Sequence, residues 1–218
     1  RSSRRFVFDP SSKAAPTLIS DRNSQDIYSN PGSFETVRNQ FGRYVLAVEE
    51  GKSFLVGPGH TKEGQFPFID EFDWKTLKTN RIYQSALTDK LENIIEVKDF
   101  KNGEVLVMIQ SATEYPNYFI RNLKKRIAPV QITNFKNPFE GLHNLHKEVI
   151  KYKRKAGVEL SGTLYLPAGY DKKEKLPLLI WAYPQEFVDK NSAGQSALNP
   201  NQFTFPSYGS FVFWATRG

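Results

Sequence analysis

Glu148-Val-Ile-Lys-Tyr-Lys153, Val158-Glu-Leu-Ser-Gly-Thr-Leu-Tyr-Leu-Pro167 and the apolar run Leu176-Pro-Leu-Leu-Ile-Trp-Ala-Tyr183 decide how this chain is read. In the first two, polar and apolar positions mix as in half-buried strands, with Gly157 between them as the turn. The third is apolar throughout, the pattern of a strand covered on both faces. Two half-polar strands feeding one fully apolar strand predict the opening of an α/β sheet from Lys147 onward. Pro184 closes the run, and no nucleophile motif follows it before Gly218. The expectation is a catalytic domain that begins within this segment, whose nucleophile lies elsewhere.

Upstream the texture changes. Residues 1–145 read as short strands at Phe6–Phe8, Arg43–Val48, Ser53–Val56, Phe66–Trp74, Arg81–Gln84, Ile94–Lys98, Val105–Gln110, Tyr118–Asn122 and Val130–Ile132. Glu50-Gly51, Pro58-Gly59, Lys101-Asn-Gly103 and Tyr115-Pro-Asn117 punctuate them, as turn residues do in antiparallel hairpins. A loose repeat runs through this half. Phe6–Asp9 leads to Thr17–Ser20, Phe72–Trp74 to Arg81–Ser85, and Tyr118–Arg121 to Val130–Thr133, each time through a polar turn. The latter two stand about one propeller blade apart, and each unit fits the outer hairpin of a four-stranded blade. Chance likeness among hairpins is the alternative. The fold class expected is therefore mixed β and α/β: partial β-propeller blades over residues 1–144, then the first strands of an α/β domain over 145–218. Leu142-His-Asn-Leu-His146 is a short connector at the boundary. Pro184–Pro206 is a long polar loop, and Tyr208–Gly218 a short helix or strand.

Composition narrows the function. The 218 residues carry 30 basic and 23 acidic side chains, a net charge of +7, and 14% aromatics. That length suffices for a sizeable core. The absence of cysteine excludes disulfides, thiolate zinc sites and thiol catalysis. No apolar run approaches the roughly 20 residues of a membrane span, and no signal-peptide core follows the basic start. The chain begins without Met, which reads as a cut end, and the compartment is left open. The cations are scattered apart from Lys124-Lys-Arg126 and Lys151–Lys155, so solvated faces explain most of them.

His143 and His146 sit three apart but bring no third ligand, and His60 lies in the turn Gly57-Pro-Gly-His60. Neither arrangement makes a metal site, and no metal or cofactor is expected. Gly194-Gln-Ser196-Ala-Leu198 falls short of a nucleophile elbow. It has Leu where glycine is needed and no apolar strand before it, so Ser196 is rejected as a nucleophile.

Gln131-Ile-Thr-Asn-Phe135, Lys147–Gly157, Gly162-Thr-Leu-Tyr-Leu-Pro-Ala-Gly-Tyr170 and Leu178–Pro184 together resemble the prolyl oligopeptidase family of serine peptidases, at the junction of propeller and α/β-hydrolase domains. Ala193-Gly-Gln195, Asn199–Phe203 and Glu63–Asp73 are similar to its glutamyl endopeptidase branch. The resemblance covers essentially the whole chain. It implies a Ser–Asp–His triad in a cavity between the domains, with all three members beyond this segment, which alone is expected to be inactive. It also implies that Tyr183 donates its hydroxyl to the oxyanion in the intact enzyme. An acidic substrate side chain would be met by arginine, whose fork suits a carboxylate, and the candidates are Arg38, Arg43, Arg81 and Arg121, with Arg217 a weaker one. The partner implied is a peptide substrate, with neither nucleic acid nor membrane. The competing reading is a non-catalytic β-rich module that binds acidic peptides or nucleic acid through its basic charge.

Overall fold

The computed structural model describes residues 2–125, 127–155, 157–183, 187, 189 and 191–217. The chain is β-rich, with several antiparallel sheets and, among the described residues, only two short 3-10 turns as helix. It divides into two compact units, residues 1–84 with 187–197, and residues 85–186 with 198–218.

In the first unit, β1 (Ser2–Val7) and β2 (Thr17–Asn23) form a hairpin. β3 (Ser33–Phe34) is followed by a second, short hairpin of β4 (Thr36–Arg38) and β5 (Tyr44–Leu46). β6 (Lys52–Gly57), β7 (Phe68–Asp73) and β8 (Lys78–Gln84) complete a four-stranded sheet in the order β3-β6-β7-β8. Its core is Phe54, Leu55, Phe68, Ile69 and Phe72, all buried. Ile69 is wholly removed from water, which by area contributes roughly 2–3 kcal/mol. Phe34, Phe72 and Trp74 pack ring to ring at 4.8–5.5 Å. The Trp74 indole N–H donates to Ser53 Oγ at 2.8 Å, and that hydroxyl donates on to the Ala47 carbonyl at 2.7 Å. A wholly buried serine is thereby satisfied twice, as a buried hydroxyl requires.

In the second unit, β9 (Leu91–Asp99), β10 (Glu104–Gln110), β11 (Asn117–Asn122) and β12 (Val130–Gln131) form a second four-stranded antiparallel sheet, in sequential order. Leu91, Val97, Val105 and Val107 make its core. A 3-10 turn at Glu140–Leu142 leads into the hairpin of β13 (His146–Lys153) and β14 (Glu159–Leu166). A second 3-10 turn, Phe211–Thr216, buries Val212.

The repeat read from the sequence has a physical basis in its turns. Asp9 follows β1, Asp73 ends β7 and Asn122 ends β11. Each turns its side-chain oxygen onto the backbone N–H two residues on, at 2.9–3.0 Å. Asp73 and Asn122 accept a second N–H one residue further. This Asx turn replaces the ladder bonds the strand loses as it reverses. The β7–β8 and β11–β12 hairpins are also the last two strands of their respective sheets.

Several expectations change: the strand read at Phe6–Phe8 runs Ser2–Val7, and the one read at Ile94–Lys98 runs Leu91–Asp99. The strand read at Arg81–Gln84 begins earlier, at Lys78, because Leu77 takes a left-handed backbone (φ 55°) and closes the turn there. The apolar run Leu176–Tyr183 is not a strand. No backbone ladder reaches it among the described residues, and Leu178, Leu179, Ile180, Trp181 and Tyr183 are exposed. A strand is a paired object: without a neighbour it has no ladder, and Pro177 removes one donor besides. Pro184, read as the end of the run, lies outside the described residues, as does Arg126 of the Lys124–Arg126 cluster.

Candidate active site

The apolar run is held from the side of the β13–β14 hairpin. Tyr165 on β14 shares a hydrogen bond with Thr204 Oγ1 at 3.1 Å and meets the Phe211 ring edge-on at 6.1 Å. Trp181 stacks on the same Phe211, also at 6.1 Å and with 16° between the ring planes. Two residues on, Tyr183 presents a side chain that is 87% exposed, with no hydrogen-bond partner among the described residues.

Tyr165 also lines a small cavity with His143, Lys147, Thr204 and Val212 among others. Lys147 Nζ donates to the Gln202 carbonyl and stands 6.0 Å over the Tyr165 ring. Burial lowers the Lys147 ammonium below the ordinary lysine range.

The four arginines divide by partner. Arg81 grips Asp70 through Nε and Nη2 and lies 3.7 Å above the Phe68 ring. Arg121 Nε donates to Glu92 Oε1 at 2.5 Å, and Glu92 is wholly buried. Both guanidinium groups serve carboxylates of this chain. Arg121 also lines an open groove of about 470 Å³ with Lys90, Glu114, Tyr115, Phe119 and Phe135. Arg38 and Arg43 are different: both are exposed, on either side of the β4–β5 turn, and no carboxylate pairs with either among the described residues. Arg38 rests 5.0 Å over the Tyr44 ring. Arg217 is exposed just past the last 3-10 turn.

Among the described residues no three His, Asp or Glu side chains converge on a metal position. His146 stands 3.4 Å from Glu148 on its own strand, and His143 caps the first 3-10 turn. His60 bridges to Gln65, and its half-burial lowers its pKa. Ser196 lies in an irregular segment, its backbone N–H donating to the Tyr28 hydroxyl at 3.1 Å.

Sequence reading missed how that segment is fastened. Asn23 Nδ2 donates to Asp189 Oδ2 at 2.7 Å and to Ser192 Oγ at 3.3 Å. Gln195 donates to Asp26 Oδ1 and accepts the Ile27 N–H, both at 2.8 Å. The partners are more than 160 positions apart, beyond any local pattern.

Two curated plant proteins are similar to the whole chain. Each is named "Probable glutamyl endopeptidase, chloroplastic", one from Oryza sativa subsp. japonica and one from Arabidopsis thaliana, and each is 38% identical over 234 aligned positions. The chain spans about a quarter of the length of these relatives. No family model matches it. Among solved structures, the isopeptidase AtxE2 with Astexin3-dC4 bound superposes at a TM-score of 0.44, with 16% identity, over 84% of this chain and 27% of that one. The same isopeptidase without ligand superposes at 0.36, also with 16% identity, over 65% and 23%. Superpositions this loose leave fold and site to the chain's own residues.

Proposed function

We propose that this chain is a segment of a serine peptidase of the prolyl oligopeptidase family, in its glutamyl endopeptidase-like branch. On this reading residues 1–144 belong to a β-propeller that restricts access to short or unfolded peptides. Residues 145–218 open an α/β-hydrolase domain whose triad lies outside the segment. The whole-chain similarity to two proteins named as glutamyl endopeptidases carries the proposal. Two four-stranded antiparallel sheets, whose third strands begin about 50 residues apart, agree with a propeller repeat.

The chemistry follows the serine peptidase scheme. A serine hydroxyl attacks the peptide carbonyl, histidine takes its proton, and the carbonyl oxygen becomes an anion before the amine leaves and an acyl-enzyme remains. Tyr183 supplies a hydroxyl donor to that anion. Among the arginines that could pair with an acidic substrate side chain, Arg38 and Arg43 are favoured because no carboxylate pairs with either among the described residues.

Tyr183→Phe in the full-length protein tests the central role. Losing one oxyanion donor costs about 3 kcal/mol, so kcat is expected to fall roughly 100-fold. KM should stay within twofold, because the interaction belongs to the transition state. Unchanged kcat would refute the assignment. The 218 residues alone are expected to resist a fluorophosphonate serine probe; labelling abolished by replacing a serine within them would refute the location of the triad.

A further inference from the structure

The turn between β9 and β10 holds the chain's sole Asn–Gly pair, Asn102-Gly103. The pair suits a tight reversal, because Gly103 takes a left-handed backbone (φ 72°) that other residues resist. It also carries a chemical liability. Glycine has no Cβ to hold its backbone nitrogen away from the asparagine Cγ, so a five-membered ring can close between them. Asn102 is exposed, so water has access to the product of that closure.

The fold opposes the closure through one carboxylate. Asn102 Nδ2 donates to Asp99 Oδ2 at 2.8 Å, and the Asn102 backbone N–H donates to Asp99 Oδ1, also at 2.8 Å. The first bond ties down the amide that must swing onto the Gly103 nitrogen, and the second shapes the turn. Both acceptors belong to a carboxylate, which makes the bonds charge-assisted. The backbone bond first, and then the side-chain bond, hold the Asp99 carboxyl below the ordinary range. The turn after β11 braces the same backbone. Asn122 Nδ2 donates to the Asn102 carbonyl at 3.2 Å, Leu123 N–H to the Gly103 carbonyl at 2.8 Å, and Lys124 Nζ to the Lys101 carbonyl.

We propose that Asn102 is a deamidation site whose rate is held down by Asp99. Once the amide leaves the carboxylate, the Gly103 nitrogen attacks Asn102 Cγ. The new N–Cγ bond forms as Cγ–Nδ2 breaks, and the proton lost from Gly103 departs with Nδ2 as ammonia. Water then opens the cyclic imide at either carbonyl. One opening leaves aspartate; the other leaves its isomer, in which the backbone runs through Cβ and Cγ and is longer by one methylene. Either product puts a carboxylate where Asp99 had a donor, and like charges there repel. The reaction thus unties the turn that restrained it. This chemistry goes beyond the peptidase reading and does not depend on it.

The test incubates the full-length protein at mildly alkaline pH, digests it with trypsin and weighs the peptide that starts at Asn102. The folded parent should deamidate about tenfold or more slowly than the same protein unfolded in urea, since a bond to a charged group must break first. Asp99→Asn should speed the folded protein about tenfold, because its amide oxygen still accepts the Asn102 N–H while its NH2 cannot accept from Nδ2. Amide exchange at β10 should change by no more than about twofold in that variant, its ladder being intact. Asn102→Asp, which is one of the products, should raise the carbon-13 titration midpoint of Asp99 above the parent's. A folded parent that deamidates as fast as the urea-unfolded chain would overturn the proposal, as would Asp99→Asn no faster than the parent. If protection at β10 falls by the same factor as the rate rises, opening of the hairpin sets the rate and the role of Asp99 is wrong. An Asn102 that stays intact in urea would refute the chemistry itself.

Discussion

Replacing Glu92 by alanine is expected to damage the second sheet more than the equivalent change at Asp70 damages the first. Glu92 on β9 and Arg121 on β11 reach across β10, with side chains 0% and 16% exposed and 2.5 Å between Oε1 and Nε. Removing Glu92 takes its buried carboxylate from a guanidinium whose side chain is only 16% exposed, at a cost of about 3–5 kcal/mol. Asp70 holds an arginine whose side chain is 42% exposed and which also rests on the Phe68 ring. Water and the ring's electron-rich face compensate part of the loss there, leaving about 1–2 kcal/mol. Native-state amide exchange in the full-length protein reads both, at β10 for Glu92→Ala and at β6 and β8 for Asp70→Ala. Protection at β10 should drop at least 100-fold. The joint replacement Glu92→Leu/Arg121→Met removes both charges and should come within about 1 kcal/mol of the parent or exceed it. A Glu92→Ala loss smaller than the Asp70→Ala loss would refute the burial argument. So would a double variant as weak as Glu92→Ala.

Gly59→Ala should destabilise by well over about 1 kcal/mol, since φ is +64° and the new Cβ would lie 1.8 Å from the Phe66 carbonyl oxygen. Reduced thermal stability of the full-length variant checks this. The Asp99 carboxyl is held below the ordinary 3.8, first by the Asn102 backbone N–H and then by its side-chain amide. Its contribution to stability is therefore complete above the unfolded carboxyl value and lost as pH falls through the lower folded one. In Asn102→Ala the carbon-13 titration midpoint of Asp99 should rise toward 3.8 without reaching it, because the backbone bond remains. If Arg38 and Arg43 recognise an acidic side chain, Arg38→Gln/Arg43→Gln should lower the kcat/KM preference for Glu over Gln about tenfold or more. An unchanged ratio would remove both.

The hairpins were legible because their causes are local. Short apolar or aromatic runs bounded by turn residues mark β7 and β10, mixed polar and apolar positions mark β13 and β14, and Asp73, Asp99 and Asn122 turn the chain by bonding their own near neighbours. The division among the arginines was not legible: whether Arg38 or Arg121 is available depends on carboxylates brought close only by folding. Glu92 and Arg121, on strands separated by β10, carry no shared pattern along the chain. The fastening of the Ser196 segment escaped for the same reason, since Asn23, Asp26 and Gln195 each read as ordinary loop polarity. Leu176–Tyr183 taught the converse. Its composition gives β-propensity, but pairing is supplied by a neighbour, and a run with every strand-like residue still forms no ladder by itself.

That run bears on how the chain survives synthesis. Leu178-Leu-Ile-Trp-Ala-Tyr183 is uncharged, β-prone and exposed, the profile of a segment that stacks into cross-β aggregates when copies meet. The residues beside it oppose this. Asp171-Lys-Lys-Glu-Lys175 places charge immediately before the run, and Pro177 and Pro184 stand at its ends, where each denies a stacked neighbour one N–H. Neutralising Lys172, Lys173 and Lys175 would leave the fold's ladders intact, yet should raise the amount of freshly made protein lost to insoluble deposits. On this expectation those three lysines serve as gatekeepers beside an exposed apolar run.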